Sequence, residues 1–236
     1  MSKEGYLLCC FNDIKYFKLT LRTIKMLRDY DPNRYIIILT DNVSFFDEYL
    51  DGYKLMVSHF DYNNHIHENI DTSNDWNKYG LIPKLYHSYY TPFETTMYLD
   101  VDMWFKKDFI FIWEEYYKSP DLVLYAGVSD ENNKSPSSWH WGTIDEVIEK
   151  VGVNIPQISG TLIVYNKNRL KEMVNLHVEN ILNNISKWNI KTWYRNGLPE
   201  EIIYAIIFGY EKIKPSIELN DWIFNNKNCD PMDKNV

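Results

Sequence analysis

The sequence predicts a single α/β domain over residues 1–236, in which strands and helices alternate. Two observations carry that prediction. The chain opens on "GYLLCCF", "KYFKLTLRTIKMLRDY" and "RYIIILTDN": a short apolar run, a helical stripe and a β-branched run. That order is a βαβ unit, which requires parallel strands and a right-handed crossover. The remaining chain keeps alternating strand-like and helix-like stretches without a repeat, a low-complexity linker or a composition break, and 236 residues suffice for one sizeable core.

The elements follow in order. Residues 5–11 form the first strand. Apolar residues at 17, 21, 24 and 27 recur at helical spacing, so 15–30 is a helix, and Asp31-Pro32 ends it. A second strand spans 34–42 and a helix follows at roughly 44–51, before a third strand at 54–60. Asn and Asp dominate 61–77, which reads as a loop. Pro83 starts a helix over 82–90. "TTMYLDVDMWF" (95–105) reads as a strand running into an acidic pair, and "FIFIWEEYY" as a short helix. A strand at 121–128, a polar loop at 129–142 and the short helix "TIDEVIEKVG" come next. A strand at 160–167 and helices at 168–187 and 198–210 complete the domain, and the tail after about 220 is expected to be poorly ordered.

Composition narrows the function. The formal net charge is −8 and no basic patch stands out, which argues against nucleic acid as a partner. Aromatic residues reach 16%, a content that would suit stacking on sugars. Asn, Ile, Lys and Tyr are plentiful, however, while Ala occurs only as Ala126 and Ala205. That pattern reflects AT-rich codon usage, so the aromatic content carries little functional weight. Cys9, Cys10 and Cys229 make neither a disulfide framework nor a metal spacing, and Cys9-Cys10 read as small core residues of a strand. The first residues hold too short an apolar run for a signal peptide, and no stretch approaches the ~18 apolar residues of a membrane span. The expectation is a soluble, cytoplasmic protein with no integral membrane segment, from a bacterium or a virus-infected host cell.

The chemistry centres on Asp100 and Asp102. They close an apolar strand, and in open α/β sheets ligands gather outside the carboxyl ends of the strands. If strand geometry persisted there, both carboxylates would face the same way and repel. Hard oxygen ligands so spaced suit Mg²⁺ or Mn²⁺, which are held by one or two carboxylates plus substrate phosphates. Two enzyme classes end an apolar strand in D-x-D. A haloacid-dehalogenase-like phosphatase would use Asp100 as nucleophile, but that motif sits on the first strand, with Thr or Val where this chain has Trp104. In nucleotide-sugar transferases the pair follows a βαβ half, as it does here.

With those residues in place, the chain resembles the GT-A glycosyltransferases, and within them the glycogenin-like and bacterial galactosyltransferase group (glycosyltransferase family 8 and relatives). The likeness lies in "YLLCCFN…LTLRTIKML", in "IPKLYHSYYTPFETTMYLDVDMWFKKDFIFIWE", in "ISGTLIVYNKNRL" and in "LPEEIIYAIIFG", four segments in the family's order over roughly residues 5–210. It implies a GT-A fold, a Rossmann-like mixed central sheet flanked by helices, with a nucleotide-binding N-terminal half. It also implies a metal-dependent transferase that moves a sugar from a nucleotide-diphosphate sugar, here a UDP-sugar, to a carbohydrate or other hydroxyl acceptor. By the same resemblance Asp100 and Asp102 hold Mn²⁺ or Mg²⁺. Phe11, Asn12, Lys84, Val101, Ser159 and Gly160, with the two aspartates, bind the donor. Glu200 and Glu201 face the reacting carbon. One feature departs from the family: no histidine follows residue 200, so either the third metal ligand falls to Asp221, to Asp230 or to water, or the segment that supplies it is absent.

Other residues have two readings each. Glu200 and Glu201 follow Pro199 at a helix start, where carboxylates favour the helix dipole whether or not they are catalytic; Asp145 is a weaker candidate base. In "SWHWG", Trp139 and Trp141 could stack on an acceptor sugar with His140 hydrogen-bonding or ligating, or could anchor the loop. "NHIHEN", with His65 and His67, reads as a solvated loop and not as a zinc site, and His87 and His177 read as ordinary helix residues. A catalytically silent module that binds a sugar nucleotide is a third functional class compatible with these motifs.

Overall fold

The first strand, β1 (Glu4–Cys10), lies between β2 (Tyr35–Thr40) and β4 (Thr95–Leu99), and both run parallel to it. Its side chains alternate: Leu7 and Phe11 enter one core cluster, Tyr6, Leu8 and Cys10 the other. Burial on both faces is why this strand reads as an unbroken apolar run. The computed structural model describes residues 3–52, 54–105, 110–119, 121–128, 144–189, 197–216 and 223–225.

Helix α1 (Ile14–Tyr30) makes the crossover from β1 to β2, and Asp13 caps it by accepting from the Lys15 amide at 2.8 Å. β3 (Leu55–His59) adds a fourth parallel strand outside β2. On the other side β7 (Gln157–Asn166) runs antiparallel to β4, and β6 (Val123–Val128) antiparallel to β7. The strand order is β3-β2-β1-β4-β7-β6, so the central sheet is mixed, as expected.

Each face of the sheet carries its own helices. α1 and α3 (Phe111–Lys118) cover one through Phe17, Ile24, Leu27, Ile112 and Trp113. α2 (Ile82–Tyr86), α5 (Lys167–Trp188) and α6 (Glu200–Tyr210) cover the other through Leu85, Leu170, Val174, Ile203 and Phe208. Each such Leu or Ile, fully buried, contributes roughly 1.5–3 kcal/mol relative to exposure. α6 is buried on all sides from Ile202 to Gly209 because it packs between β7 and α5, which accounts for its unbroken apolar sequence. α4 (Ile144–Val151) precedes β7 and buries Ile144 and Val147. Among the described residues no helix is long and apolar enough to cross a membrane.

Several elements depart from the sequence reading. The strand expected over 95–105 is broken: β4 ends at Leu99, Val101 and Asp102 form a turn, and β5 (Met103–Phe105) starts a separate sheet. The partner of β5 is β8 (Ile223–Asn225), antiparallel. The segment near 44–51 is a 3-10 helix, Val43–Gly52. The loop expected over 61–77 contains a 3-10 turn, Tyr62–His65, and its end joins a π-helical stretch, Trp76–Leu81, that runs into α2. β7 begins three residues earlier than expected.

Candidate active site

The acidic turn is set by hydrogen bonds to two elements, β7 and α1. The Asp100 amide still donates to the Thr161 carbonyl at 3.0 Å, the last rung between β4 and β7. Thr23 Oγ1, fully buried on α1, donates to the Val101 carbonyl at 2.8 Å, while the Val101 side chain enters the core. The chain then turns away from the sheet, so Asp100 and Asp102 do not share one strand face.

Asp100 does have a positive neighbour. Lys84 Nζ, from α2, lies 2.7 Å from Asp100 Oδ1 and 3.1 Å from Glu200 Oε1. The Tyr98 hydroxyl donates to the same Asp100 oxygen. Burial works against the Lys84 charge, yet Asp100 and Glu200 outweigh it and hold the ammonium well above the usual lysine range. Burial also pushes the Asp102 carboxyl up; Asp100 adds to this and Lys84 offsets part of it.

Glu200 and Glu201 reach the same place from the first turn of α6. Burial raises the Glu200 carboxyl to about 7, with Lys84 holding it down and Glu201 and Asp100 pushing it further up. Glu201 Oε1 accepts from the Gly160 amide at 2.8 Å. A bulge in β7 explains why that amide is available: Ser159–Leu162 stand opposite the single residue Ala126 of β6, so the ladder skips here. Gly160 is also the residue the space demands. A Cβ at this position would lie 2.9 Å from Glu200 Oε1 and 2.9 Å from Glu201 Cγ.

Lys84, Asp100, Gly160, Glu200 and Glu201 thus form one cluster at the carboxyl ends of β1 and β4, with Val101 and Asp102 in its turn. Ser159 adjoins it, its hydroxyl 2.7 Å from that of Thr161. Asn12 stands at the end of β1 with φ 66°, a left-handed conformation that Asn tolerates, and its amide donates to both Asp41 oxygens at 3.2 Å. Phe11 is buried, its ring met edge-on by Phe60 and Tyr62. Asp145 is exposed in the first turn of α4. Trp139, His140 and Trp141 lie outside the described residues, as do Asp221, Asp230 and Cys229. His65 stacks on Tyr86 and pairs with the Tyr90 hydroxyl at 2.9 Å, and His177 pairs with Glu211 at 2.6 Å.

Four residues of this site escape sequence reasoning. Tyr98 looks like an ordinary strand residue; its position two before Asp100, on the same face, is the available signal. His87 is fully buried, stacks on Tyr98 with ring centroids 4.7 Å apart and pairs with the Tyr165 hydroxyl at 2.7 Å. Burial and the nearby Lys84 depress its pKa to about 3, so it is neutral. Cys9 is not only a core residue: Lys84, Asp100 and Glu200 all act electrostatically on its thiol, which burial pushes well up. Asp41 reads in the sequence only as a turn residue.

For a metal, the donor set is short. Among the described residues no group of three or more His, Cys, Asp or Glu is placed to hold one. Two carboxylates, one of them burdened by burial and by its neighbour's charge, fit a mode in which Mg²⁺ or Mn²⁺ is shared with substrate phosphates.

No profile of a known protein family matches this chain, and no curated protein matches it in sequence. Solved structures do match in fold. Mouse xyloside xylosyltransferase 1, in its apo form, superposes with a TM-score of 0.54 at 10% identity, over 91% of this chain and 84% of that one. The glycosyltransferase GlyE of Streptococcus pneumoniae gives 0.53 at 12% identity, over 92% of this chain and 45% of that one. The galactosyltransferase LgtC, in complex with donor and acceptor sugar analogues, gives 0.51 at 10% identity, over 87% and 70%. This chain therefore has the mixed α/β fold of the GT-A glycosyltransferases.

Proposed function

We propose that the chain is a glycosyltransferase that takes a sugar from a nucleotide-diphosphate sugar, a UDP-sugar, and passes it to a hydroxyl of a carbohydrate acceptor. The observation that carries this reading is the convergence of Lys84, Asp100, Gly160, Glu200 and Glu201 at the carboxyl ends of parallel strands in this fold. Asp100 and Asp102 would hold Mn²⁺ or Mg²⁺. Such an ion, once bound, stabilises the charge that develops on the leaving diphosphate.

The protein's own residues account for the rest. Lys84 adds a fixed positive charge where the diphosphate and donor sugar would lie. Gly160 lets the sugar approach the backbone, and its amide orients Glu201. Glu200, with a carboxyl near neutrality in its proton affinity, suits a group that takes the acceptor hydroxyl's proton at physiological pH. The phosphatase alternative loses support, because Asp100 follows the fourth strand of the chain and its Oδ1 is already engaged by Lys84 and Tyr98.

The test is release of nucleoside diphosphate from a panel of UDP- and GDP-sugars with Mn²⁺, with and without added glycans. Release from UDP-sugars that is lost with EDTA and in Asp102→Ala supports the reading. Binding without release, even with glycan acceptors, would favour the silent binding module.

A further inference from the structure

Lys84 and an incoming cation need the same oxygen. Lys84 Nζ sits 2.7 Å from Asp100 Oδ1, and the side chains of Lys84, Asp100 and Glu200 are 20%, 17% and 7% exposed. An ion pair this far removed from water is not the loose, solvent-screened kind seen on surfaces. The backbone beneath Lys84 is fixed as well. Tyr204 Oη lies 3.0 Å from the Lys84 carbonyl and 3.1 Å from that of Leu85, to which it donates, and Pro83 precedes them. What remains free to move is the four-carbon stem of Lys84, which can swing its ammonium from the carboxylates to an anion bound beside them.

We propose that Lys84 is an internal counter-ion that occupies Asp100 in the empty protein, so that a divalent cation is taken up together with the donor diphosphate and not ahead of it. This rests on the sugar-transfer reading and adds an order of binding to it. A cation approaching alone must displace the ammonium from Asp100 and leave it to Glu200 only. A diphosphate supplies new acceptors for Lys84 and frees Asp100 in the same event. Metal and donor then favour each other's binding, and linkage makes that preference mutual. Lys84 is paired with both Asp100 and Glu200, and its removal takes that positive charge from beside them.

The decisive experiment titrates Mn²⁺ alone, without nucleotide, into the full chain and reads free Mn²⁺ by electron paramagnetic resonance. Lys84→Met should bind Mn²⁺ about tenfold more tightly than the wild type, a coupling of ordinary size, while Lys84→Arg should match the wild type. Equal affinity in wild type and Lys84→Met would overturn the counter-ion role and leave the transferase reading intact. Absence of Mn²⁺ binding in both would overturn it together with the metal-dependent part of that reading.

Should Lys84→Met fail a circular-dichroism check of its fold, acetylation of Lys84 in the wild type decides, followed by peptide mass spectrometry. Saturating Mn²⁺ should speed modification of Lys84 severalfold by releasing it from Asp100. A rate insensitive to Mn²⁺ would contradict the proposal.

Discussion

Glu200 concentrates the electrostatics of the site in one side chain. Its carboxyl is raised from the ordinary glutamate value to about 7, chiefly by burial. An acid raised in this way is easier to hold protonated in the folded state than in the unfolded one. Its contribution to stability is therefore complete below the ordinary pKa near 4.5 and is lost as pH rises through 7. The loss is on the order of 3 kcal/mol, since each pKa unit is worth about 1.4 kcal/mol. Glu200→Gln, which imitates the protonated form, should flatten that decline in metal-free protein, so that thermal melts of wild type and variant diverge between pH 5 and 8. Parallel curves would place the Glu200 charge in water. Gly160→Ala makes a second prediction. The added methyl, 2.9 Å from Glu200 Oε1, must push both carboxylates off their positions. Sugar transfer should fall at least about tenfold, roughly 1.4 kcal/mol in the barrier, while the far-ultraviolet circular dichroism stays native.

The acidic turn is the element whose geometry decides the site, and it is also where the sequence misleads. Val101 and Met103 are buried and Asp100 and Asp102 half-buried, so residues 100–103 alternate through the break as if the strand ran on. What ends β4 is tertiary: the Thr23 hydroxyl on the Val101 carbonyl and the pairing of β5 with β8, a partner more than a hundred residues away. Local pattern cannot report such contacts. The β7 bulge is illegible for the same reason, because its signal is a register shift against β6. By contrast the βαβ opening and the end of α1 before Pro32 follow from periodicity and turn residues alone. The carboxylates are legible as a motif, whereas Lys84 gains its role through the family likeness and its two partners only through the fold. Thr23→Val keeps the shape of the side chain and removes the hydroxyl. It should destabilise the protein by about 1–3 kcal/mol, the cost of a buried carbonyl left without its donor, measurable by urea unfolding. An unchanged midpoint would mean that the turn holds itself.

At the scale of the whole molecule, two apolar layers on opposite faces of one sheet leave its carboxyl edge as the place where charge collects. Parallel strands β1 to β4 all end there, and α2 and α6 bring Lys84, Glu200 and Glu201 to it from the face opposite α1. The carboxylates of Asp100, Asp102, Glu200 and Glu201 at that edge repel an anion, and a bound cation offsets that repulsion. The most direct check is the melting temperature of the full chain against UDP-, GDP- and other sugar nucleotides, each with Mn²⁺ and with EDTA. A ligand that binds only the folded state raises it by mass action, through a stabilisation of about 2.7 kcal/mol at a hundredfold excess over the dissociation constant. UDP-sugars with Mn²⁺ should stabilise the wild type, with no effect in EDTA and none in Asp102→Ala. No stabilisation by any nucleotide, or equal stabilisation in EDTA, would contradict a cation-dependent donor site at this edge.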